Sequence, residues 1–388
     1  MPDPSPKPFC ASGRAFGGKP DGLRLERMRS SPRFFDGLFR NTARVQPGLK
    51  PGTALSTISK FLFGGERRTP PAPLPTRNPL DDWARPIETG LRATWLGHST
   101  VLIEIDGFRV LTDPVWGERA SPWQFAGPKR FQPVPIPIEA LPPLDAVVIS
   151  HDHYDHLDYP SIRALAARDA PFITALGVGA HLESWGIPAA RITELDWWEH
   201  LDLHGGALRI TAAPSQHFSG RAMNDRNRTL WSSMAIRTDH HSVFFSGDTG
   251  LTPEYGDIRS RLGPFDLVML EIGAFHPAWG DIHLGPENAL EAHALLGGGC
   301  LLPVHWGTFN LAIHAWDEPA ETILDLARRR GALLAMPGIG VPVEPGRIEG
   351  EPEPWWRAAG VVEAANVPAV EPESAVVAGG PVVDAIAD

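Results

Sequence analysis

The stretch His151-Asp152-His153-Tyr154-Asp155-His156 constrains this chain more than any other. Three imidazoles and two carboxylates within six residues cannot be buried without hydrogen-bonding partners or an ion. Just upstream, residues 146–150 form a mostly apolar run, Ala-Val-Val-Ile-Ser, after Pro142-Pro143. That run predicts a buried strand ending where the histidines begin. A loop at a strand end, held by a rigid sheet, is a usual setting for reactive groups. Imidazole nitrogen and carboxylate oxygen are the ligands that zinc and similar divalent ions take in hydrolytic sites. His151 and His153 alternate on an extended chain and can converge on one ion, while Asp155 and His156 turn past it toward a second. An exposed polar loop with accidental histidines does not account for this density. The loop reads as a metal site.

If so, further ligands are expected singly at later strand ends, and three candidates stand there. His217 follows an expected strand at 207–212, Asp248 one at 242–246, and His305 one at 300–304. Each is a polar group delivered by an apolar run into a loop. The other expected strands are 91–95, 100–105, 108–112, 172–174, 233–237 and 267–270, with Asp106-Gly107 as a hairpin turn. Helices are expected at 161–168, 286–296 and 319–330, the last two opened by Pro and closed by Gly297 and Gly331. This order of hairpins first and helices later predicts an α/β sandwich of two sheets with helices outside.

The chain has 388 residues, 43% hydrophobic and 21% charged, enough to bury one large core. Two cysteines, Cys10 and Cys300, form no disulfide framework and point to a reducing compartment. The N-terminal residues lack the apolar core of a signal peptide, and no apolar run is long enough to span a bilayer. The expected location is the cytoplasm. Net charge is −11, but residues 1–68 hold 13 Lys/Arg against 5 Asp/Glu, so this segment carries +8 and the remainder −19. An acidic body argues against a nucleic-acid partner. The basic segment keeps an anionic membrane surface in play, as peripheral contact at its inner face. Residues 1–20 are expected to be disordered; 21–90 form a basic extension and Pro-rich linker; the compact domain spans 91–345; and 346–388 form a disordered tail in which Trp355-Trp356 could dock. Within the extension, helix-like pieces are expected at 23–28, 34–39 and 55–63. In the last, Leu55, Ile58, Phe61 and Leu62 recur at helical spacing, so that it either packs on the domain or lies in a membrane interface, with Phe63 adding to its apolar surface.

Several stretches carry a resemblance. Trp95-Leu96-Gly97-His98, Leu111-Thr112-Asp113-Pro114 and the His-x-His-x-Asp-His loop resemble the metallo-β-lactamase superfamily. Gly127-Pro128-Lys129-Arg130-Phe131, Asp196-Trp197-Trp198-Glu199 and His305-Trp306-Gly307-Thr308-Phe309 are similar to its N-acylphosphatidylethanolamine-hydrolysing phospholipase D branch. The resemblance covers about residues 91–340. It implies an αββα four-layer sandwich and two Zn2+ per chain, with Fe or Mn as substitutes. His151, His153 and His217 would hold one ion, Asp155, His156 and His305 the other, and Asp248 would bridge them. Asp155, Asp248 and His283 would be catalytic. Asp113 and His98 would orient ligand imidazoles, and Lys129 and His283 would meet substrate. The implied reaction is hydrolysis of a phospholipid, N-acylphosphatidylethanolamine, to phosphatidic acid and N-acylethanolamine by a metal-bridging hydroxide. A homodimer is implied as well. The alternatives are a metal-dependent hydrolase of a lactone or another phosphodiester, and a non-catalytic binding module. The sequence departs from the branch at Glu271, at Ala278-Trp279-Gly280-Asp281 and at Gly285, where substrate is expected to lie.

Overall fold

The computed structural model describes residues 13–45, 50, 52, 53, 57, 59, 60 and 64–360. A short hairpin, β1 (Phe34–Phe35) and β2 (Leu38–Phe39), precedes two large sheets. The first sheet contains β3 (Leu91–Gly97), β4 (Thr100–Ile105), β5 (Phe108–Thr112), β6 (Ala146–Ile149), β7 (Phe172–Ala175) and β8 (Ile192–Leu195) in sequential order. The second runs from β9 (His200–Leu203) through β10 (Leu208–Ala213), β11 (Ser233–Arg237), β12 (Ser242–Phe245) and β13 (Leu267–Glu271) to β14 (Cys300–Val304). A last strand, β15 (Pro342–Val343), pairs back onto β3 in the first sheet. Strands β5 to β8 are mutually parallel, as are β12 to β14, and the remaining pairs are antiparallel.

Strands buried on both faces read as continuous apolar runs, and this explains why they were legible. Along β4, Val101, Ile103 and Ile105 join the core that extends to the second sheet, while Leu102 faces the opposite layer. Along β6, Ala146 and Val148 face the first core and Val147 and Ile149 the second. Helices α3 (Tyr159–Leu165) and α4 (Gly179–Ser184) cover the first sheet through Ile162, Leu165 and Leu182. On the second sheet α6 (Gly285–Leu295) packs on β13 and on α7 (Glu318–Arg330), after α5 (Glu254–Leu262). The architecture is the expected αββα sandwich. Its three strands that the sequence did not reveal, β8, β9 and β15, are all sheet edges with exposed or half-buried residues. A strand buried on one side only leaves no continuous apolar run.

The described residues flanking the two sheets are more tightly built than expected. Helix α1 (Gly22–Arg29) forms as expected, and the four-residue helix α2 (Leu80–Trp83) precedes β3. The piece at 34–39, expected to be helical, is the β1–β2 hairpin. Asp36 (φ 52°) and Gly37 (φ 77°) make its turn, an Asp-Gly signal that outweighed the apolar spacing. The apolar residues of the expected 55–63 helix, Leu55, Ile58, Phe61, Leu62 and Phe63, lie outside the described residues. Residues 13–20, expected to be disordered, include a short helix whose Ala15 is buried, and Trp185 Nε1 donates to the Arg14 carbonyl at 2.6 Å. The basic extension is partly neutralised by the body: Arg24 pairs with Glu183 and Glu194, and Arg27 with Glu199.

The tail expected from residue 346 is folded through Gly360. Trp355 and Trp356 dock onto a stack in which Trp95 and Trp306 lie 5.1 Å apart at 19°. Trp356 is fully buried and its Nε1 donates to Glu321 at 2.8 Å. Among the described residues no helix is long and apolar enough to cross a membrane. Trp356→Ala is expected to lower stability by about 3–5 kcal/mol, the usual cost of emptying a buried indole site. Denaturant unfolding checks this; a loss below about 1 kcal/mol would mean that the tail contributes no packing.

Candidate metal centre

The clustered side chains leave the two sheets at one end. Asp113 follows β5, the histidine loop follows β6, Asp248 lies just past β12, Glu271 closes β13 and His305 follows β14. In open α/β sheets the crevice beyond the carboxyl ends of parallel strands is where ligands bind. Two of these residues, Asp113 (φ 32°) and His305 (φ 62°), sit in left-handed backbone, a conformation that persists where surrounding contacts fix it. Gly247 (φ 55°) is required for another reason: a Cβ there would come within 2.5 Å of Ser150 Cβ. Only a glycine lets the Asp248 loop approach the histidine loop this closely.

The histidine loop is held by members that turn away from the ligands, Asp152 above all, while Tyr154 Oη donates to the Arg221 carbonyl at 2.7 Å. Asp152 accepts from the Gly220 amide at 2.7 Å and from Thr229 Oγ1 at 2.8 Å, and Arg221 donates to its carbonyl. His156 N and Leu157 N then donate to the His153 carbonyl at 3.1 and 2.7 Å, closing a turn. That turn presents His151 and His153 on one side and Asp155 and His156 on the other.

Two groups form at the expected ligands, each with ligand atoms within 4.8 Å of one another: His151, His153, His217 and Asp248, and His98, Asp155, His156 and His305; a third, Asp248, Glu271, His283 and His305, overlaps them. The Asp248 carboxylate faces the first two. Its Oδ2 lies 3.7 Å from His217 Nε2 and 3.9 Å from His151 Nε2, and its Oδ1 lies 3.1 Å from His156 Nε2 and 3.2 Å from His305 Nε2. His156 Nε2, His305 Nε2 and Asp248 Oδ1 are buried without a hydrogen-bond partner. Leaving such atoms unsatisfied costs about 1–3 kcal/mol each. Convergent, orphaned nitrogen and oxygen atoms without a thiolate suit zinc or a similar divalent ion. The residues present fit a pair of such ions.

The proton balance agrees. Burial holds the imidazoles of His151 and His217 well below the ordinary histidine value, lowers His153, and pushes His98 down to about 3. Burial opposes charge on His305 too, but the neighbouring Asp248 and Asp155 carboxylates outweigh it and raise it to about 10. His156 is likewise raised against burial by Asp248 and Asp155. Both carboxylates are held well below their ordinary range by these imidazoles, despite burial. Where a cation binds, it takes the place of protons on the same lone pairs.

Around the two groups lies a frame of hydrogen bonds. Asp113 accepts from His156 Nδ1 at 2.7 Å and from Ser150 N and Oγ at 2.8 and 2.6 Å. Such a contact fixes the tautomer that leaves Nε2 for an ion. His98 Nε2 is 3.0 Å from Asp155 Oδ2. Asp113 thus lies against a candidate ligand imidazole, whereas His98, also expected to orient an imidazole, lies against the Asp155 carboxylate. His217 Nδ1 reaches the Ile282 carbonyl at 2.8 Å, and Asn41 brackets its backbone, accepting from His217 N at 3.0 Å and donating to His217 O at 2.8 Å. His283 Nδ1 is 2.6 Å from Glu271 Oε2, and Glu271 Oε1 accepts from Thr249 N at 2.7 Å.

A cavity of about 580 Å³ opens onto the centre, lined by His153, Asp155, Asp248, His283 and His305 together with apolar Phe218, Met223, Trp279, Ile282 and Leu311. Lys129 is not part of it. Its ammonium pairs with Glu118 at 2.8 Å on the surface, so the expected meeting with substrate is not what the geometry brings together. Three residues on or near the cavity escaped the sequence reading as functional groups. Asn41 sits in a polar stretch with nothing to mark it, and Arg226 in a similar one. Glu271, a lone acid ending the apolar run Leu-Val-Met-Leu, was a legible signal noticed only as a departure.

Comparison with known proteins agrees with this geometry. Residues 108–306 match the beta-lactamase superfamily domain. An uncharacterised protein of Mycobacterium tuberculosis is 48% identical over 358 residues, 89% of this chain and 94% of its own length. An N-acyl-phosphatidylethanolamine-hydrolyzing phospholipase D of Caenorhabditis elegans is 36% identical over 304 residues, 73% of this chain and 84% of its own. Among solved structures, a metallo hydrolase of the archaeon Ignicoccus hospitalis superposes with a TM-score of 0.52 at 24% identity, covering 66% of this chain and 98% of that one. The two-sheet fold, the ligand groups at its strand ends and these relatives make the chain a metal-dependent hydrolase of the metallo-β-lactamase superfamily, related to the N-acylphosphatidylethanolamine-hydrolysing phospholipases D.

Proposed function

We propose that this chain hydrolyses the phosphodiester of N-acylphosphatidylethanolamine, releasing N-acylethanolamine and phosphatidic acid, at a centre of two zinc ions. The observation that carries the reading is the two-sided Asp248 carboxylate, in a chain similar along most of its length to a phospholipase D of that specificity. Two divalent ions, when bound, lower the pKa of water and neutralise charge on phosphoryl oxygens.

The chain's own residues supply the rest. His151, His153, His217, Asp155, His156 and His305 would hold the ions, with Asp248 between them. His283 Nδ1 hydrogen-bonds to Glu271, which turns the Nε2–H of the protonated ring toward the cavity it lines. There it can pass a proton to the departing ethanolamide oxygen. Burial raises the Glu271 carboxyl, and against burial Glu271 raises His283. Phe218, Met223, Trp279 and Leu311 give the lipid an apolar wall. The residues of the basic extension left unpaired by the body would bring the enzyme to an anionic bilayer, each engaged cation contributing about 1 kcal/mol.

Isolated protein is expected to hold about two divalent ions per chain, mostly zinc. At most one ion by elemental analysis, together with full activity, would exclude the dinuclear reading. Asp248→Asn is expected to reduce turnover by about a thousandfold or more while leaving the thermal midpoint within a few degrees. Near-normal turnover in that variant would remove Asp248 from its bridging place. Offered N-acylphosphatidylethanolamine, other phosphodiesters and lactones in parallel, the enzyme is expected to prefer the first, and a preference for a lactone would select the alternative hydrolase. Binding to anionic liposomes is expected to weaken as salt rises, and salt-independent binding would oppose the electrostatic contact.

A further inference from the structure

The cavity over the metal centre contains one arginine and no lysine among its described lining residues, and the arginine is Arg226. It lies in the loop between β10 and β11, and its neighbours are fixed. Asp225 Oδ1 accepts from the amides of Arg221 and Ala222 at 3.0 and 2.8 Å. Asn227, at φ 58°, donates from its amide to the Ser219 carbonyl at 3.0 Å. Arg221 ties the same loop down, donating to the carbonyls of Asp152, Leu157 and Ala15. Arg226 therefore starts from a rigid backbone.

Its side chain is placed as well. The guanidinium carbon lies 4.6 Å from the centroid of the Phe218 ring. That ring lies in turn 4.5 Å from His153 and 4.7 Å from His217, two of the candidate ligands. No carboxylate within ion-pair distance of Arg226 is found among the described residues, whereas Lys129 and many other surface cations are paired. A guanidinium resting on an aromatic face keeps its fork of N–H donors free and loses little further entropy when it binds. The fork matches two oxygens of a phosphoryl group, and no other cationic side chain outside the histidines of the centre is among the described lining residues.

We propose that Arg226 is the substrate-binding residue that selects for an anionic phosphoryl group, holding its non-bridging oxygens and so favouring phosphodiesters over neutral esters and lactones. This deepens the function proposed above and rests on it for the identity of the substrate. The role expected of Lys129 thereby passes to a residue in a different loop. Phosphate oxygens presented by a lipid or by inorganic phosphate offer the same chemistry to the guanidinium.

The test compares metal-loaded wild type with Arg226→Ala and Arg226→Lys. Three probes are used: a soluble short-chain phosphodiester, a neutral ester of similar size, and inorganic phosphate as competing inhibitor. Losing a hydrogen-bonded charge pair predicts that Arg226→Ala raises KM for the phosphodiester, and the inhibition constant of phosphate, about 10- to 100-fold. The effect on kcat is expected to be much smaller, as is the effect on the neutral ester, and Arg226→Lys is expected to recover part of the loss. Unchanged KM and phosphate inhibition, or equal losses on charged and neutral substrates, would overturn the proposal. If wild type cleaves no phosphodiester, the proposed function fails by itself, and the phosphate inhibition constants of the three proteins still decide the role of Arg226. Metal content and thermal midpoint, measured on each variant, separate a binding loss from a folding loss.

Discussion

Everything at this centre depends on the mutual need of buried imidazoles and buried carboxylates. His156, His305 and Asp248 are almost wholly removed from water and Asp155 largely so, and an isolated charge at such a depth would be very costly. They persist because each oxygen of Asp248 faces a different imidazole pair and because Asp113 takes the far nitrogen of His156. The strands serve this convergence. Gly247 lets two loops approach, Asp152 draws its own loop away from solvent, and the backbones of Asp113 and His305 are held in left-handed conformations. A centre this constrained has little room to reorganise when it binds ions, which is the condition for positioning catalytic groups within a fraction of an ångström.

The same physics decides what could be read beforehand. Strands buried on both faces announce themselves, so β3 to β7 and β10 to β14 were legible, and with them the strand ends that carry His151, Asp248 and His305. The edge strands β8, β9 and β15 lack that signature. The histidine loop was legible by density and the single ligands by their place after apolar runs. Asn41 was not, because its role exists only once residues far apart in sequence have met: it lies 176 positions before His217. Lys129 illustrates the reverse error. A basic residue in a motif typical of the branch suggests a phosphate, but its position in space gave it Glu118 instead.

The extension and the tail change what counts as the working unit. Residues before β3 contribute Asn41 to the backbone of His217, and Arg24 and Arg27 to Glu183, Glu194 and Glu199 on the body. An acidic body and a basic arm are therefore partly one charge-balanced structure, and only the cations left over can serve an outside surface. At the other end, Trp355 and Trp356 rest on Trp306, the immediate neighbour of His305. Packing at the tail is thus continuous with packing behind a candidate ligand.

Glu271 carries the last step. A third carboxylate at a site already holding Asp155 and Asp248 would repel both if it were a free, unpartnered anion. It does not face them freely: Oε1 is occupied by the Thr249 amide and Oε2 by His283 at 2.6 Å. Thr249 adjoins Asp248, so one buried side chain fixes both the Asp248 loop and the histidine that meets the cavity. Its charge is absorbed by an imidazole and two backbone amides, so that a third buried carboxylate is accommodated without displacing Asp155 and Asp248 from the histidines they face.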